Sequence, residues 1–182
     1  MKKILLVLLL LVSFNANAWL WVEPYIGYDI GSKTEIANSS SELEYSGFTY
    51  GARLGWAWKI LLLGVDLSGM SGTSTDEAGL EDDVSKSTFG AFAGVNFDLT
   101  VIGLRAWISY FFSNKLTFSN DNEMSGGGFG IGVGITLLKF LGINFEYRGM
   151  DYDEFVIAGN TNNFEYKPSE FVVSLSVPLD LF

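Results

Sequence analysis

Charged residues recur at alternate positions inside segments that are otherwise apolar, and their types suit ion pairing. Arg53 and Asp66 lie in two consecutive segments of this kind, and Arg105 lies in a third. Glu146 and Arg148 are two residues apart in a fourth. A buried guanidinium and carboxylate pair through parallel, charge-assisted hydrogen bonds. The chain has no histidine and no cysteine, so the most common general base and the thiolate metal ligand are both absent.

A second group of carboxylates lies in the polar stretch GTSTDEAGLEDDVSK, residues 72–86. Carboxylate oxygens suit hard divalent cations such as those that bridge lipopolysaccharide, but the spacing does not match an EF-hand. A solvated acidic loop is the favoured interpretation, and we predict no resident metal. The weak candidates for a cation site are Asp76, Glu77, Glu81, Asp82 and Asp83.

Residues 126–135 read GGGFGIGVGI, a glycine density that raises the possibility of a phosphate-binding loop. No register supplies glycines at i, i+2 and i+5, and no Gly-Lys-Ser/Thr follows, so neither nucleotide motif fits. What remains is strict alternation of glycine with bulky apolar residues, which is the period of a strand. We therefore predict a strand with one bare face, and no cofactor.

Strands of the same alternation must position the charged residues. Eight segments place apolar side chains on one face and small, polar or charged side chains on the other. The predicted strands are roughly 22–31, 47–58, 61–68, 89–97, 102–112, 126–135, 143–148 and 171–180. Bulky inward residues are also predicted at Tyr25, Phe92 and Trp107.

Hairpin geometry sets two of the predicted registers. Pairing Trp58 with Leu61 places Arg53 opposite Asp66 on the inward face. A second hairpin, closed with Thr136 facing Gly142, fixes the neighbours of the glycines. It sets Gly134 beside Asn144, Gly132 beside Glu146, and Gly130 beside Arg148.

The connections alternate between short and long. Tight hairpins are predicted at 59–60, 98–100 and 137–141. Long polar connections are predicted at roughly 32–46, 70–86, 113–125 and 151–167. Short periplasmic turns, long external loops and an outward apolar band are the features of a bacterial outer-membrane barrel.

The first residues predict export. Met-Lys-Lys, an apolar run and Ala16-Asn17-Ala18 form a secretory signal peptide over 1–18, leaving a barrel domain over 19–182. Loss of Lys2 and Lys3 changes the net charge from -10 to -12. This charge argues against nucleic acid as a partner.

Aromatic residues gather at both ends of the predicted strands, as in membrane-interface girdles. The periplasmic girdle is predicted to contain Trp19, Trp21, Trp56, Trp58, Phe97 and Phe140. The outer girdle is predicted to contain Tyr28, Phe48, Tyr50, Phe89, Tyr110, Phe112, Tyr147 and Phe171.

With these strands, loops and girdles, and with a terminal Phe182, the chain resembles the small eight-stranded outer-membrane barrels typified by the OmpA transmembrane domain and OmpX. The resemblance implies an all-β, eight-stranded antiparallel up-and-down transmembrane β-barrel in the bacterial outer membrane. It also implies a monomer surrounded by lipids and lipopolysaccharide, with Phe182 read by the assembly machinery. Phe182 is out of phase with Leu179 and Leu181, so this assembly signal is atypical.

The lumen of an eight-stranded barrel is only wide enough to be filled by side chains. We therefore interpret Arg53, Asp66, Arg105, Glu146 and Arg148 as a luminal ion-pair plug in a protein with a structural or surface-interaction role. A small passive pore is the alternative. A lipid A-modifying barrel enzyme is the third choice, and the absence of histidine argues against it, so we predict no enzymatic activity.

Overall fold

The structure, a computed structural model, describes residues 18–31, 34–35, 42–76, 79–99, 101–137, 140–157 and 160–181. The predicted signal peptide, apart from Ala18, and the terminal Phe182 lie outside these residues. No helix among the described residues is long and apolar enough to cross a membrane. The strands are β1 (Ala18–Gly31), β2 (Thr34–Glu35), β3 (Glu42–Trp58), β4 (Leu61–Asp76), β5 (Glu81–Leu99), β6 (Ile102–Phe118), β7 (Glu123–Leu137), β8 (Leu141–Ile157), β9 (Asn160–Tyr166), β10 (Ser169–Ser176) and β11 (Leu179–Leu181).

Antiparallel pairing closes the sheet into a ring. Each long strand pairs with the next along the chain, and β1 pairs with β3 on one side and with β10 and β11 on the other. Strands β10 and β11 form one interrupted strand, bridged by a 3.0 Å hydrogen bond from Val177 N to Pro24 O. The ring therefore has eight strands, which confirms the predicted fold class. Short β2 and β9 extend it by pairing with β3 and β8.

The predicted alternation of faces is confirmed. Along β7, Phe129, Ile131, Val133 and Ile135 are exposed on the outside, while Gly130, Gly132 and Gly134 are buried. All eight members of the predicted outer girdle are exposed, as are five of the six at the periplasmic end. A closed ring with an apolar outer band satisfies its backbone hydrogen bonds internally, as lipid requires.

Trp21 is the exception, and its assignment to the periplasmic girdle is wrong. Its side chain is only 4% exposed and lies inside the barrel with Leu62, Phe92 and Trp107. The physical reason is phase, because Trp21 shares the inward face of β1 with Glu23 and Tyr25. The two-residue period of side-chain direction is therefore a better guide to the face of Trp21 than its position near a strand end.

Most residues of the predicted long polar connections lie in strands, so the prediction that these segments are loops is wrong. Strand β4 continues to Asp76 and strand β5 begins at Glu81. Strands β6 to β9 likewise run through most of 113–125 and 151–167. We call the described parts beyond the outer girdle, residues 42–47, 70–76, 79–88, 113–127, 150–157 and 160–167, the outer extension. Of the predicted 32–46 connection, residues 32–33 and 36–41 lie outside the described part.

The outer extension reverses the polarity of the membrane-spanning part. Its inward side chains are mainly apolar and its outward side chains are polar. A bulge in β6 helps to set the new phase: Phe111 and Asn114 are both buried, while Phe112 and Ser113 between them are exposed. Outside the bilayer the wall faces water, so apolar groups gain by turning inward. The resulting cluster contains Tyr45, Met70, Val84, Phe111, Leu116, Met124, Met150, Tyr152 and Tyr166.

Candidate luminal ion-pair network

Register brings the predicted luminal charges into the barrel interior. Arg53 on β3 lies opposite Asp66 on β4, and on β7–β8 Glu146 lies opposite Gly132 and Arg148 opposite Gly130. These registers are the predicted ones. The side chains of all five predicted residues, including Arg105 on β6, are buried.

Arg53 lies at the centre of the network. Its Nε is 3.1 Å from Asp66 Oδ2, its Nη2 is 2.8 Å from Glu146 Oε2, and its Nη1 is 3.5 Å from Glu23 Oε2. Its guanidinium carbon also lies 4.3 Å from the Trp107 ring centroid and 4.9 Å from that of Tyr25. One cation therefore contacts carboxylates from three different strands and also lies against two aromatic rings.

Arg148 joins this centre directly, whereas Arg105 joins it through another residue. Arg148 Nη2 is 3.1 Å from Glu146 Oε2. Arg105 pairs instead with Glu23, which also faces Arg53. Glu23 is the link that sequence reasoning missed, although its inward phase on β1 was visible.

The bare face of β7 makes room for large neighbours. A side-chain carbon at Gly132 would overlap the Trp107 indole, and one at Gly134 would overlap the Asn144 amide. At Gly130 it would lie 3.0 Å from Glu146 Oε1. The glycines thus accommodate the predicted Asn144 and Glu146, and also Trp107, which crosses over from β6.

A second cluster lies further out and was not predicted. Lys86 pairs with Asp29, and its Nζ is 2.8 Å from Glu170 Oε2. Tyr45 donates a hydrogen bond to Glu170. Lys86 fell in a predicted loop and Glu170 just before a predicted strand, so neither was assigned an inward face.

Tyrosines of the outer extension keep their phenolic protons. Burial, and then the negative charge of Glu170, raise the pKa of both Tyr45 and Tyr152 well above the usual tyrosine value. The Tyr152 hydroxyl lies 2.7 Å from Asn114 Nδ2, which donates to it. These groups lie in the barrel interior, further out than the second cluster.

The described carboxylates of the acidic stretch lie on the paired strands β4 and β5. Glu81, Asp82 and Asp83 lie at the start of β5, opposite residues 73–75 of β4. Asp82 accepts a hydrogen bond from the Ser119 hydroxyl. Asp76 ends β4, and Glu77 lies outside the described residues. Among the residues described, no group of three or more potential ligands is placed to hold a metal ion.

A closed ring with an apolar exterior and an ion-paired interior defines a transmembrane β-barrel. Residues 4–177 match the family described as outer membrane protein beta-barrel domain, and the chain belongs to that family. A search of curated protein sequences finds no match.

Solved structures with the same fold are distant in sequence. Neisserial surface protein A (NspA) is 15% identical, with a TM-score of 0.59, covering 89% of this chain and 99% of its own. Ail of Yersinia pestis, solved with the heparin analogue sucrose octasulfate, is 12% identical, with a TM-score of 0.54 and coverages of 88% and 99%. OprG of Pseudomonas aeruginosa is 8% identical, with a TM-score of 0.52 and coverages of 91% and 98%. These similarities concern the fold.

Proposed function

We propose that this protein is a bacterial outer-membrane barrel with a structural and surface-interaction role, and that its lumen is closed to solutes. The observation that carries the proposal is the set of contacts made by Arg53. Its three carboxylate partners come from β1, β4 and β8, so the network spans the cross-section of the ring. The Trp107 and Tyr25 rings pack against the same guanidinium.

Layers above and below the Arg53 centre support closure. On the periplasmic side, Trp21, Leu62, Phe92 and Trp107 pack together. On the outer side lie the Lys86 cluster and then the apolar interior of the outer extension. A solute would have to displace several buried layers in succession, whereas a passive pore needs one continuous aqueous path.

Planar-bilayer recording of the refolded protein tests this proposal. We expect no steady channels from the unmodified barrel. Trp107→Ala, which uncovers Gly132, should produce intermittent conductance, whereas Ile108→Ala on the lipid-facing side of the same strand should not. Steady channels in the unmodified protein, unchanged by Trp107→Ala, would establish the small passive pore instead.

We further propose that the protein has no enzymatic activity on lipid A. The chain contains no histidine to act as a base. Mass spectrometry of lipid A from cells with and without the expressed protein checks this. An unchanged mass is expected, and a new mass that depends on the protein would establish the enzyme alternative.

Export and assembly complete the proposal. The leader is removed after Ala18, the assembly machinery reads Phe182, and the mature chain inserts as a monomer among outer-membrane lipids and lipopolysaccharide. The N-terminal sequence of the purified protein, its heat-modifiable migration in detergent gels and its mass in detergent measure these points. A chain that stays soluble without detergent would contradict insertion.

A further inference from the structure

The outward wall of the outer extension is divided into two chemically different sectors. On β8 and β9 the exposed side chains are mainly carboxylates and neutral polar groups. The carboxylates are Asp151, Asp153, Glu154 and Glu165, and Lys167 Nζ lies 2.7 Å from Glu165 Oε1 and 3.9 Å from Asp151 Oδ2. On β4, β5 and β6 the exposed side chains nearest the girdle are hydroxyls. This hydroxyl sector contains Ser71, Thr73, Ser85, Ser87 and Ser113.

Strand register makes the hydroxyl sector contiguous. Ser85 lies directly opposite Ser71 on β4 and Thr117 on β6. Ser87, two residues closer to the membrane, lies opposite Lys115 on β6. Lys115 Nζ is 2.7 Å from Glu123 Oε1, so the carboxylate beside Lys115 is paired. Asp83 is exposed and lies opposite Thr73, so negative charge begins at the outer edge of the sector, whereas Ser87 at its membrane-proximal edge lies opposite Lys115.

A groove of about 410 Å³ opens on the outer surface where the hydroxyl sector meets the girdle. Tyr50, Leu67 and Phe89 line its apolar part, and Ser87 and Ser113 line its polar part. Opposite Ser87, Gly69 on β4 contributes no side chain. A side-chain carbon there would lie 2.9 Å from the Tyr50 ring, so glycine lets that ring lie against the wall. The groove is continuous with the lipid-facing band through Leu67.

We propose that the hydroxyl sector and this groove bind an outer-leaflet glycolipid. An acyl chain lies in the groove between Tyr50 and Phe89, and sugar hydroxyls exchange hydrogen bonds with Ser71, Ser85 and Ser87. A serine hydroxyl both donates and accepts, which matches a sugar hydroxyl. This inference rests on the outer-membrane location in the proposed function.

Two features select this occupant. The groove continues a surface that lipid already covers, so an acyl chain reaches it without leaving the bilayer. A phosphate-bearing headgroup placed at Ser87 lies next to Lys115, whereas on the outward face of β8 it would meet Asp153 and Glu154.

Native mass spectrometry of the full barrel in detergent, titrated with lipid A or with phosphatidylglycerol, tests the proposal. We expect lipid A to bind about tenfold more tightly than phosphatidylglycerol, and Ser87→Leu to reduce lipid A binding about tenfold. Ser85→Leu is a second variant in the same sector and should act in the same direction. Thr161→Leu on β9 adds the same apolar side chain at an exposed position outside the sector and should leave binding unchanged.

Equal binding of the two lipids would overturn the proposal, because it would mean that acyl chains alone are recognised. Lipid A binding unaffected by both serine variants would overturn it as well. Heat-modifiable migration and silent bilayer recordings of the same samples report on the closed barrel. If a barrel migrates as a folded protein and shows no channels but does not bind lipid A, the glycolipid proposal fails while the proposed function stands.

Discussion

Among the three carboxylates around Arg53, Asp66 depends most on that one cation. Glu146 also pairs with Arg148, and Glu23 also pairs with Arg105, but Asp66 has no second cation within salt-bridge distance among the described residues. Its remaining partner is the Tyr25 hydroxyl, which donates to Oδ1 at 2.8 Å. The three carboxylates around Arg53 are therefore unequal in their dependence on it.

This inequality predicts the effect of Arg53→Met. The substitution leaves Asp66 buried without a counter-charge, so the free energy of unfolding should fall by about 3–5 kcal/mol in urea titrations in detergent or lipid. Lys115→Met, which removes an exposed pair, should change it by less than about 1 kcal/mol.

A double variant separates charge from packing. Arg53→Met with Asp66→Leu should regain much of the lost stability, because replacing a whole buried pair by apolar groups is often tolerated. Equal losses in the single and double variants would show that the contribution of Arg53 lies in its aromatic contacts.

At this scale, sequence reasoning identified the residues whose strands are joined by tight hairpins. The Arg53–Asp66 register follows from a two-residue turn. The Glu23–Arg53 register does not, because a long connection separates β1 from β3 and only closure of the ring sets their pairing. Glu23 thus remained outside the predicted network although its face was known.

Strand length was the element-scale feature that sequence reasoning could not set. The predicted strands ended where outward apolar residues ended, but the backbone continues as paired strands and only the polarity reverses. In the sequence, the longer strands are indicated only by a few apolar residues at inward positions, such as Met70 and Val84. The surrounding Ser, Thr and Asp residues are typical of loops and outweigh that pattern.

The reversal predicts that the outer extension is a separate packing unit. Leu116 is fully buried in its apolar cluster, so Leu116→Asp should loosen the extension while leaving the membrane-spanning ring intact. Limited proteolysis of intact cells should then cleave within residues 113–127, with heat-modifiable migration retained. Ser113→Asp at an exposed position should be silent. Loss of barrel insertion in Leu116→Asp would show that the two parts fold as one.

Hairpin placement predicts topology. An epitope inserted at Gly79 or at Asn160 should be labelled by antibody on intact cells, since both positions lie at the outer extension. One inserted between Lys59 and Ile60 should be labelled only after permeabilisation. Labelling of the third site alone would reverse the orientation of the barrel.

The charge of the whole molecule is concentrated at one end. Apart from the buried Lys86, the side chains of the outer extension that the structure describes include ten carboxylates and two lysines, Lys115 and Lys167. The interior holds four cations and five carboxylates, all buried. At the periplasmic end, Lys59 accompanies Asp98 and Asp180. Among the described residues, most of the negative net charge therefore lies on the outer extension, and the interior carries an excess of one carboxylate.

This asymmetry predicts selective attraction of cations to the outer face. A short oligolysine should bind the barrel in nanodiscs with an affinity that falls steeply with salt, because exposed charges beyond about 10 Å are screened at 0.1 M. Combining Glu81→Gln, Asp83→Asn and Asp153→Asn should weaken binding, since all three side chains are exposed.

The matched control neutralises carboxylates at the other end. Asp98→Asn with Asp180→Asn removes charge from the periplasmic rim and should leave oligolysine binding nearly unchanged. Fluorescence anisotropy across a salt series measures both variants. Equal weakening by the two sets would mean that the protein acts on cations through its total charge, and that the separation of charge along the barrel axis has no effect on binding.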